Sequence, residues 1–480
     1  MPHYDLAIIG SGSGNSLITP FWDDKRVALI DGGTFGGTCL NVGCIPTKMF
    51  VYPAGLAAAP TEAGRLGVDL TLDGVRWNEI RDRVFGRIDA ISAGGRRYRD
   101  EELDNVDLYA EYVKFTGPRA LRTASGVEIT ADRIVIAAGS RARIPDVPGV
   151  DLPQVHTSDT VMRIDGPPKK AVVVGGGYIA AEFASIFHGV GADVVQVNRS
   201  QSLLRGNDQE ISRRFAIAAA GRWDLKLGWR LLEIQAGDSQ RPADGAEVTV
   251  VFGNDAGETL KLQADVVLLA TGRIPNSDTL DLDVAGFDLS ADGTLDVDPF
   301  QQVLSNGVAV DGIYALGDIA NRHQLKHVAN REARVVSHNL EHPQSQRPLD
   351  TRAVPFAVFS TPQIAAVGLT EDQAREQAGE GVEIVTAIQD YGSTAYGWAM
   401  EDREGIVKLV AEKATGKLLG AHIMGHEASL LIQPLIQAIT TSVPVYTMAR
   451  GQYWIHPALT EVVENALLSL GVDEPADAPL

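Results

Sequence analysis

Tyr4-Asp5-Leu6-Ala7-Ile8-Ile9, followed at once by Gly10-Ser11-Gly12-Ser13-Gly14-Asn15, is the stretch that decides how this chain folds. A short apolar run broken by closely spaced glycines reads as strand, glycine turn and helix, and His3–Ile9 is the predicted strand. The next apolar run, Val27–Ile30, ends on an acidic residue, Asp31. The interval from Gly10 to Asp31 matches the roughly 20 residues expected of a dinucleotide-binding unit. In such a unit backbone N–H groups at the helix N-terminus hold a pyrophosphate, here from Gly10, Gly12 and Gly14, and the carboxylate takes a ribose hydroxyl. Asn15 stands where the fingerprint has its third glycine, so the match is imperfect. A purely structural glycine turn is the competing reading; the strand before it and Asp31 after it favour the nucleotide.

The pattern recurs. Ala171-Val172-Val173-Val174 precedes Gly175-Gly176-Gly177-Tyr178-Ile179-Ala180. The strand that follows, 193–197, runs into Asn198, Arg199 and later Arg205, with no carboxylate. An acidic residue there would favour the free 2′-hydroxyl of NAD, whereas two guanidinium groups offer bidentate donors to a 2′-phosphate. The expectation is NADPH; two solvated arginines on a loop are the alternative.

Cys39 and Cys44 are the only cysteines in the chain. Two placed at random would fall this close on roughly 2% of occasions, so coincidence explains them poorly. A structural bridge closing so short a loop removes little unfolded-state entropy. Zinc would need two further ligands, and no local histidine supplies them. A redox pair is the better reading, against two inert core thiols. The segment reads Gly36-Gly37-Thr38-Cys39-Leu40-Asn41-Val42-Gly43-Cys44-Ile45-Pro46-Thr47-Lys48. Its glycines allow a flat ligand to approach closely, and Pro46 suits the first turn of a helix running through 48–52. The positive end of that helix, with Lys48, would favour a thiolate. Two dinucleotide sites flanking such a pair imply an electron relay. One holds NADPH; the other holds a flavin, which accepts a hydride and passes two electrons to a disulfide.

The length, 480 residues, suggests about three domains at roughly 150 residues each. With 62 acidic against 42 basic residues the net charge is -20, which opposes binding to nucleic acid or anionic lipid. No apolar run reaches the roughly 18 residues of a membrane helix; the nearest, 430–445, carries Gln433, Pro434 and Gln437. No basic and apolar leader precedes the first strand, so the expected location is cytoplasmic. Residues 472–479, acidic and proline-bearing, are expected to form a loose tail.

Beyond these segments stand Ala270-Thr271-Gly272-Arg273-Ile274-Pro275-Asn276, Tyr314-Ala315-Leu316-Gly317-Asp318 and His456-Pro457-Ala458-Leu459-Thr460-Glu461. Together they resemble the flavoprotein disulfide reductases, the glutathione reductase-like class of pyridine nucleotide-disulfide oxidoreductases, over residues 4–470. The resemblance implies an α/β fold with two Rossmann-like dinucleotide-binding domains and a C-terminal α+β dimerisation domain. Residues 1–155 and 271–345 would bind FAD, 156–270 NADPH, and 346–480 would form the interface of a homodimer. Gly-Ser-Gly-Ser-Gly-Asn-Ser in the first turn, Lys48-Met49-Phe50-Val51-Tyr52, Leu325-Lys326-His327-Val328-Ala329-Asn330 and Tyr453-Trp454-Ile455-His456 are closest to members that reduce mycothiol disulfide. Glutathione reductases resemble Leu-Thr-Pro-Val-Ala where this chain has Lys326 and His327, and no cysteine lies near the C-terminus for an extra redox pair. Lipoamide dehydrogenase or glutathione reductase activity is the alternative, as is a redox-sensing flavoprotein without turnover.

The resemblance also implies roles. Gly37, Thr38, Gly139 and Asp318 join the FAD site, Asp318 at the ribityl hydroxyls. Gly175, Gly177, Tyr178, Ile179 and Gly272 join the NADPH site, with Tyr178 as a lid over the flavin. Lys48 and Glu182 would pair beside the flavin ring. Cys39 would attack the substrate disulfide while Cys44 faces the flavin. His456, five residues before Glu461, would be the acid/base, supplied by the partner subunit to an active site shared across the homodimer, its tautomer held by that carboxylate. His422 and His426 flank a predicted buried strand end and are expected to be structural.

Overall fold

A computed structural model of the protein describes residues 1–237 and 247–479. Its first sheet has eight strands. Along its main path Val308–Ala315, Glu128–Ile136, His3–Ile9 (β1), Val27–Ile30 (β2) and Val106–Tyr109 are parallel neighbours. Leu6 and Ile8 of β1 pack into the core on one face of the sheet, Ala7 and Ile9 into the core on the other. A parallel strand covered on both faces is apolar throughout, which is why β1 shows a continuous run rather than an alternation. Register then sets up the site. Ile9 lies beside both Ile30 and Ile136, and Ala315 beside Ile136. Four strands therefore end in line, and Gly10, Asp31, Gly139 and Asp318 emerge along one carboxyl edge, where sheets of this kind take their ligands.

The helix expected after the first glycine turn is not formed. The chain makes two 3₁₀ turns instead, Gly14–Leu17 and Pro20–Trp22. Pro20 cannot extend a helix and drives Thr19 to extended backbone, φ -101° and ψ 169°. The cysteine segment does become helical, as α1 (Gly37–Asn41) and α2 (Cys44–Arg65). α2 runs well past 48–52 even though Pro53 and Pro60 lie inside it. Phe50 and Ala54 bury its face against Trp77 and Phe85 of α3 (Trp77–Glu101) and against α4 (Tyr178–Gly189), and this packing outweighs the lost backbone bonds.

The second sheet is all parallel, in the order Asp224–Leu227, Asp193–Asn198, Lys170–Val174, Val266–Leu269, Val155–His156. Val174 registers with Val197 and Leu269, so the second glycine turn leaves the carboxyl edge of this sheet too. α4 and α5 (Gln209–Ala220) follow its strands.

The third sheet is antiparallel, in the order Pro355–Val358, Gln363–Gly368, Leu418–Gly425, Ile406–Glu412, Ile384–Asp390. Gln433–Thr441, Val445–Arg450 and Glu461–Leu468 contribute to one apolar core with it, so this part of the chain is α+β. The apolar stretch 430–445 is divided by helix breaks, and no described helix is long and apolar enough to cross a membrane. His422 is buried within this sheet, as expected. His426, just beyond the strand, is instead exposed and lies 3.7 Å from Glu427.

Candidate active site

Cys39 lies on α1 and Cys44 is the first residue of α2. Both are free thiols here. The Cys39 thiol donates a hydrogen bond to the Cys44 sulfur, and the two titrate as a unit. That bond, with burial and the repulsion of a neighbouring thiolate, pushes Cys39 well above the ordinary thiol range. Cys44 moves down, to about 7, through the same bond and the charge of Lys48, with burial and Glu182 acting in the opposite sense. The reduced pair is thus asymmetric: Cys44 is the sulfur that ionises first, and Cys39 keeps its proton. Cys44 borders a cavity of about 640 Å³ whose walls include Ile45, Lys48, Met49, Tyr52, Arg83 and Phe359.

Lys48, one turn along α2, meets Glu182 of α4, its Nζ 2.8 Å and 2.7 Å from the two carboxylate oxygens. Glu182 is 4% exposed and also accepts the Phe359 N–H at 3.0 Å. The Lys48 ammonium sits 4.8 Å from the centre of the Phe359 ring. Residues 134 positions apart are brought together because α2 and α4 pack side by side.

The first glycine turn is held against this segment. Gly10 has φ +107°, and a Cβ there would stand 2.3 Å from the Ala137 carbonyl oxygen. Gly37, at φ +72°, lies against Gly12, where a Cβ would come within 2.8 Å of the Gly12 Cα. Only glycines allow the turn and the cysteine helix this backbone contact. Asp31 accepts from the Ser11 N–H at 2.7 Å, the Ser11 hydroxyl at 2.5 Å and the Gly33 N–H at 2.8 Å. Ser11 Oγ in turn accepts the Gly36 N–H at 2.8 Å. Gly14 starts the first 3₁₀ turn, and Asn15 accepts from Arg99 at 2.9 Å. Thr38 is on α1 beside Cys39. Asp318 accepts from Ser140, the residue after Gly139, at 2.6 Å. Arg273, next to Gly272, donates to that same serine hydroxyl at 2.8 Å.

On the second sheet Gly175 follows its strand, Gly177 caps α4, and Tyr178 and Ile179 form the first turn of that helix. Tyr178 is 38% exposed, and desolvation pushes its hydroxyl up to about 12. Arg199 and Arg205 are exposed, and among the described residues neither has an ion-pair partner. Asn198 shapes their loop, donating to the carbonyls of Ser200 at 3.2 Å and Ser202 at 2.9 Å.

His456 stands apart. Its side chain is 72% exposed, and its Nδ1–H donates to Glu461 at 2.6 Å, leaving Nε2 free. No hydrogen bond or ion pair among the described residues joins it to the cysteines. Tyr453 and Ile455 beside it are also exposed.

Sequence reasoning did not assign several groups at this edge. Ser11, Ser140 and Arg273 are single polar residues that carry no periodic signal. Lys326 donates to Ser13 of the glycine turn at 2.7 Å and lowers the Cys39 thiol; its only signal was that it departs from the family pattern. Glu332, 1% exposed, accepts the Gly317 N–H at 2.7 Å, and burial pushes its carboxyl up to about 7.

Comparison with known proteins agrees with this arrangement. The signature described as pyridine nucleotide-disulphide oxidoreductase matches residues 4–333, and that of its dimerisation domain matches 354–467. The chain belongs to the pyridine nucleotide-disulphide oxidoreductase family. It is 50% identical to mycothione reductase of Mycobacterium tuberculosis over 98% of this chain and 100% of the relative. Glutathione reductase of Burkholderia cepacia is 32% identical, over 95% and 97% of the two chains. Dihydrolipoyl dehydrogenase of Haloferax volcanii is 32% identical, over 96% of each. Among solved structures, the HOCl-induced flavoprotein disulfide reductase of Escherichia coli superposes with a TM-score of 0.82 at 25% identity, covering 97% and 100%.

As a member of this family the protein is a disulfide oxidoreductase that uses FAD and NADPH, and its residues fit them. Gly10 and Gly12 form a bare backbone turn directly after β1, at the carboxyl edge where backbone N–H groups would hold a pyrophosphate. The cavity beside Cys44 and Lys48 admits a flat ring at a thiolate. On the second sheet, two unpaired guanidinium groups flank the strand end where a 2′-phosphate would lie.

Proposed function

We propose that this protein reduces mycothiol disulfide at the expense of NADPH, with Cys39 and Cys44 as its redox pair. The observation that supports it most is the asymmetric thiol pair at the head of α2, in a chain half identical along its length to a mycothione reductase. Residues 1–155 and 271–345 would carry FAD, 156–270 NADPH, and 346–480 the interface of a homodimer. The two thiols, with no further cysteine, suit a reducing cytoplasm.

Bound FAD would relay two electrons from NADPH to the Cys39–Cys44 disulfide. What remains is done by side chains of the chain. Gly10, Gly12, Gly14, Asn15, Gly37, Thr38, Gly139 and Asp318 would bind the flavin nucleotide, and Asp31, which also holds the first turn closed through Ser11, would take its ribose hydroxyl. Tyr178 would cover the inner site until the nicotinamide arrives, and Arg199 and Arg205 would read its 2′-phosphate. Lys48, neutralised on its far side by Glu182, holds the charge on Cys44. Cys39 keeps its proton until a base removes it, and His456 of the partner subunit is that base. The Cys39 thiolate attacks one sulfur of the substrate: a Cys39–substrate bond forms, the substrate S–S bond breaks, and the imidazolium protonates the departing thiolate. The Cys44 thiolate then attacks the Cys39 sulfur, the Cys39–substrate bond breaks, the Cys39–Cys44 bond is restored, and the second thiolate leaves and takes its proton from solvent.

Measuring kcat/KM for the purified holoenzyme with NADPH against mycothiol disulfide, glutathione disulfide and lipoamide tests the reading. Preference for either of the last two would overturn the substrate assignment, and a single flavin reduction without turnover would overturn catalysis.

A further inference from the structure

A buried ionic cluster that the reaction does not use lies between α5 and the antiparallel third sheet. Asp208 and His422 are 2% exposed and Lys408 5%. Lys408 Nζ donates to Asp208 Oδ1 at 2.9 Å and pairs with Glu371 Oε2 at 2.8 Å. Asp208 also caps α5, accepting the Glu210 N–H at 3.0 Å, while its other oxygen accepts the Glu371 N–H at 3.3 Å. His422 donates through Nε2 to the Leu369 carbonyl at 3.0 Å, and its Nδ1 is buried with no partner.

Taking paired charges out of water is a poor source of stability, since apolar replacements often do as well; such pairs fix geometry instead. The geometry here is that of one loop. Asp208 lies three positions beyond Arg205. On the other side, the Leu204 N–H donates to the Gly176 carbonyl of the second glycine turn at 2.7 Å, and Ser212 Oγ donates to the Leu204 carbonyl at 3.0 Å. Arg205 is thus strung between two fixed points, one on the glycine turn and one on Lys408. We propose that the Asp208–Lys408–Glu371 cluster positions Arg205 for the 2′-phosphate, so that nucleotide choice in one sheet depends on a lysine in another. This rests on the reading of Arg199 and Arg205 given above. None of the three cluster residues is placed at the cofactor, so they are positioning residues. Other links, Gln209 to Asp372 at 2.7 Å, Arg214 to Asp390 at 2.8 Å and Arg222 to Glu404 at 2.7 Å, keep α5 on its neighbour when the cluster is cut.

The test compares KM and kcat for NADPH and NADH in FAD-loaded Lys408→Met, Asp208→Asn, Glu371→Gln and Lys408→Arg enzymes, and in Arg199→Ala/Arg205→Ala with and without Lys408→Met. Loosening one charge-assisted contact predicts a rise of about tenfold in KM for NADPH, with kcat and the KM for NADH unchanged. Lys408→Arg should restore most of it, and Lys408→Met should add nothing once the arginines are gone. An equal rise for both nucleotides, or a full additional effect without the arginines, overturns the proposal and leaves the arginine reading intact. Unaltered NADPH preference in Arg199→Ala/Arg205→Ala alone overturns that reading, and the proposal with it. If Lys408→Met fails to fold, Asp208→Asn and Glu371→Gln separate the same outcomes.

Discussion

Replacing Lys48 by methionine keeps the length and apolar stem of the side chain and deletes one charge. Two effects follow from the contacts of that charge. Glu182 loses its 2.7 Å partner and retains only the Phe359 N–H. A fully buried pair broken this way costs about 3–5 kcal/mol, but the Lys48 side chain is 33% exposed, so about 2 kcal/mol is the scale expected. The second effect is on the thiolate. Lys48 lowers Cys44 and Glu182 raises it. Removing the lysine leaves the carboxylate, and a thiol now near 7 should rise by roughly 1–2 units. At pH 7 the thiolate share would fall from about half to a tenth or less. The assay is an anaerobic pH titration of the two-electron-reduced holoenzyme, reading the broad long-wavelength absorbance that a thiolate gives against a flavin. In the parent the band should be present above pH 7 and fade below it; in Lys48→Met the midpoint should move up. Glu182→Gln should move it down, because the carboxylate that opposed the thiolate is gone. Cys44→Ser should abolish the band and Cys39→Ser should retain it. A midpoint that stays put in Lys48→Met, or moves the same way in both charge variants, refutes the electrostatic account of Cys44.

Three further expectations can be checked separately. Arg199→Ala with Arg205→Ala should cost roughly 10²-fold or more in NADPH-over-NADH discrimination, at about 1.5–3 kcal/mol per charge-assisted contact; equal damage to both would make the arginines structural. In stopped flow, His456→Ala should leave flavin reduction by NADPH near its parental rate and slow the disulfide half-reaction by about 10²–10⁴-fold, with Glu461→Gln milder; slow flavin reduction alone would place the histidine at the nicotinamide. Glu332 has a folded pKa raised to about 7 by burial, so its share of stability is full below about 4.5 and lost as pH rises through 7. Denaturation midpoints of Glu332→Gln should therefore fall less than those of the parent between pH 5 and 8, and parallel curves would show that the carboxyl is not protonated in the fold.

Legibility followed the range over which each feature is encoded. The glycine turns and the cysteine segment were visible because a close backbone approach and a helix-capped thiolate need particular residues within a few positions of one another. Lys48 and Glu182 could be named only by resemblance, since 134 residues separate them and the packing of α2 on α4 makes the pair. The same holds more strongly for Lys326 and Ser13, 313 apart, and for Ser140 and Asp318, 178 apart. These contacts are products of strand register, which no local pattern records. Errors arose where two local signals competed. After the first turn the fingerprint asks for a helix and Pro20 forbids one, and the proline prevails. In α2, Pro53 and Pro60 argue for an end, yet burial of Phe50 and Ala54 carries the helix to Arg65.

The placement of the thiols, lysine and imidazole also divides the work. Within a single chain a hydrogen bond joins Cys39 to Cys44 and an ion pair joins Lys48 to Glu182, and the first bond with the charge of Lys48 sets which sulfur ionises. His456 is oriented by Glu461, but its side chain is 72% exposed and, among the described residues, has no hydrogen bond or ion pair to any of them. As the proposed base, it would serve the site of the other subunit rather than its own. Its segment, with Tyr453 and Ile455 exposed beside it, lies within the region that matches the dimerisation domain. In the reaction proposed above, the half that stores electrons draws on groups of one chain, and the half that spends them on a substrate would draw on a second. On this reading dilution below the dimer's dissociation constant should silence turnover before it slows flavin reduction, because only turnover draws on His456 of the partner subunit.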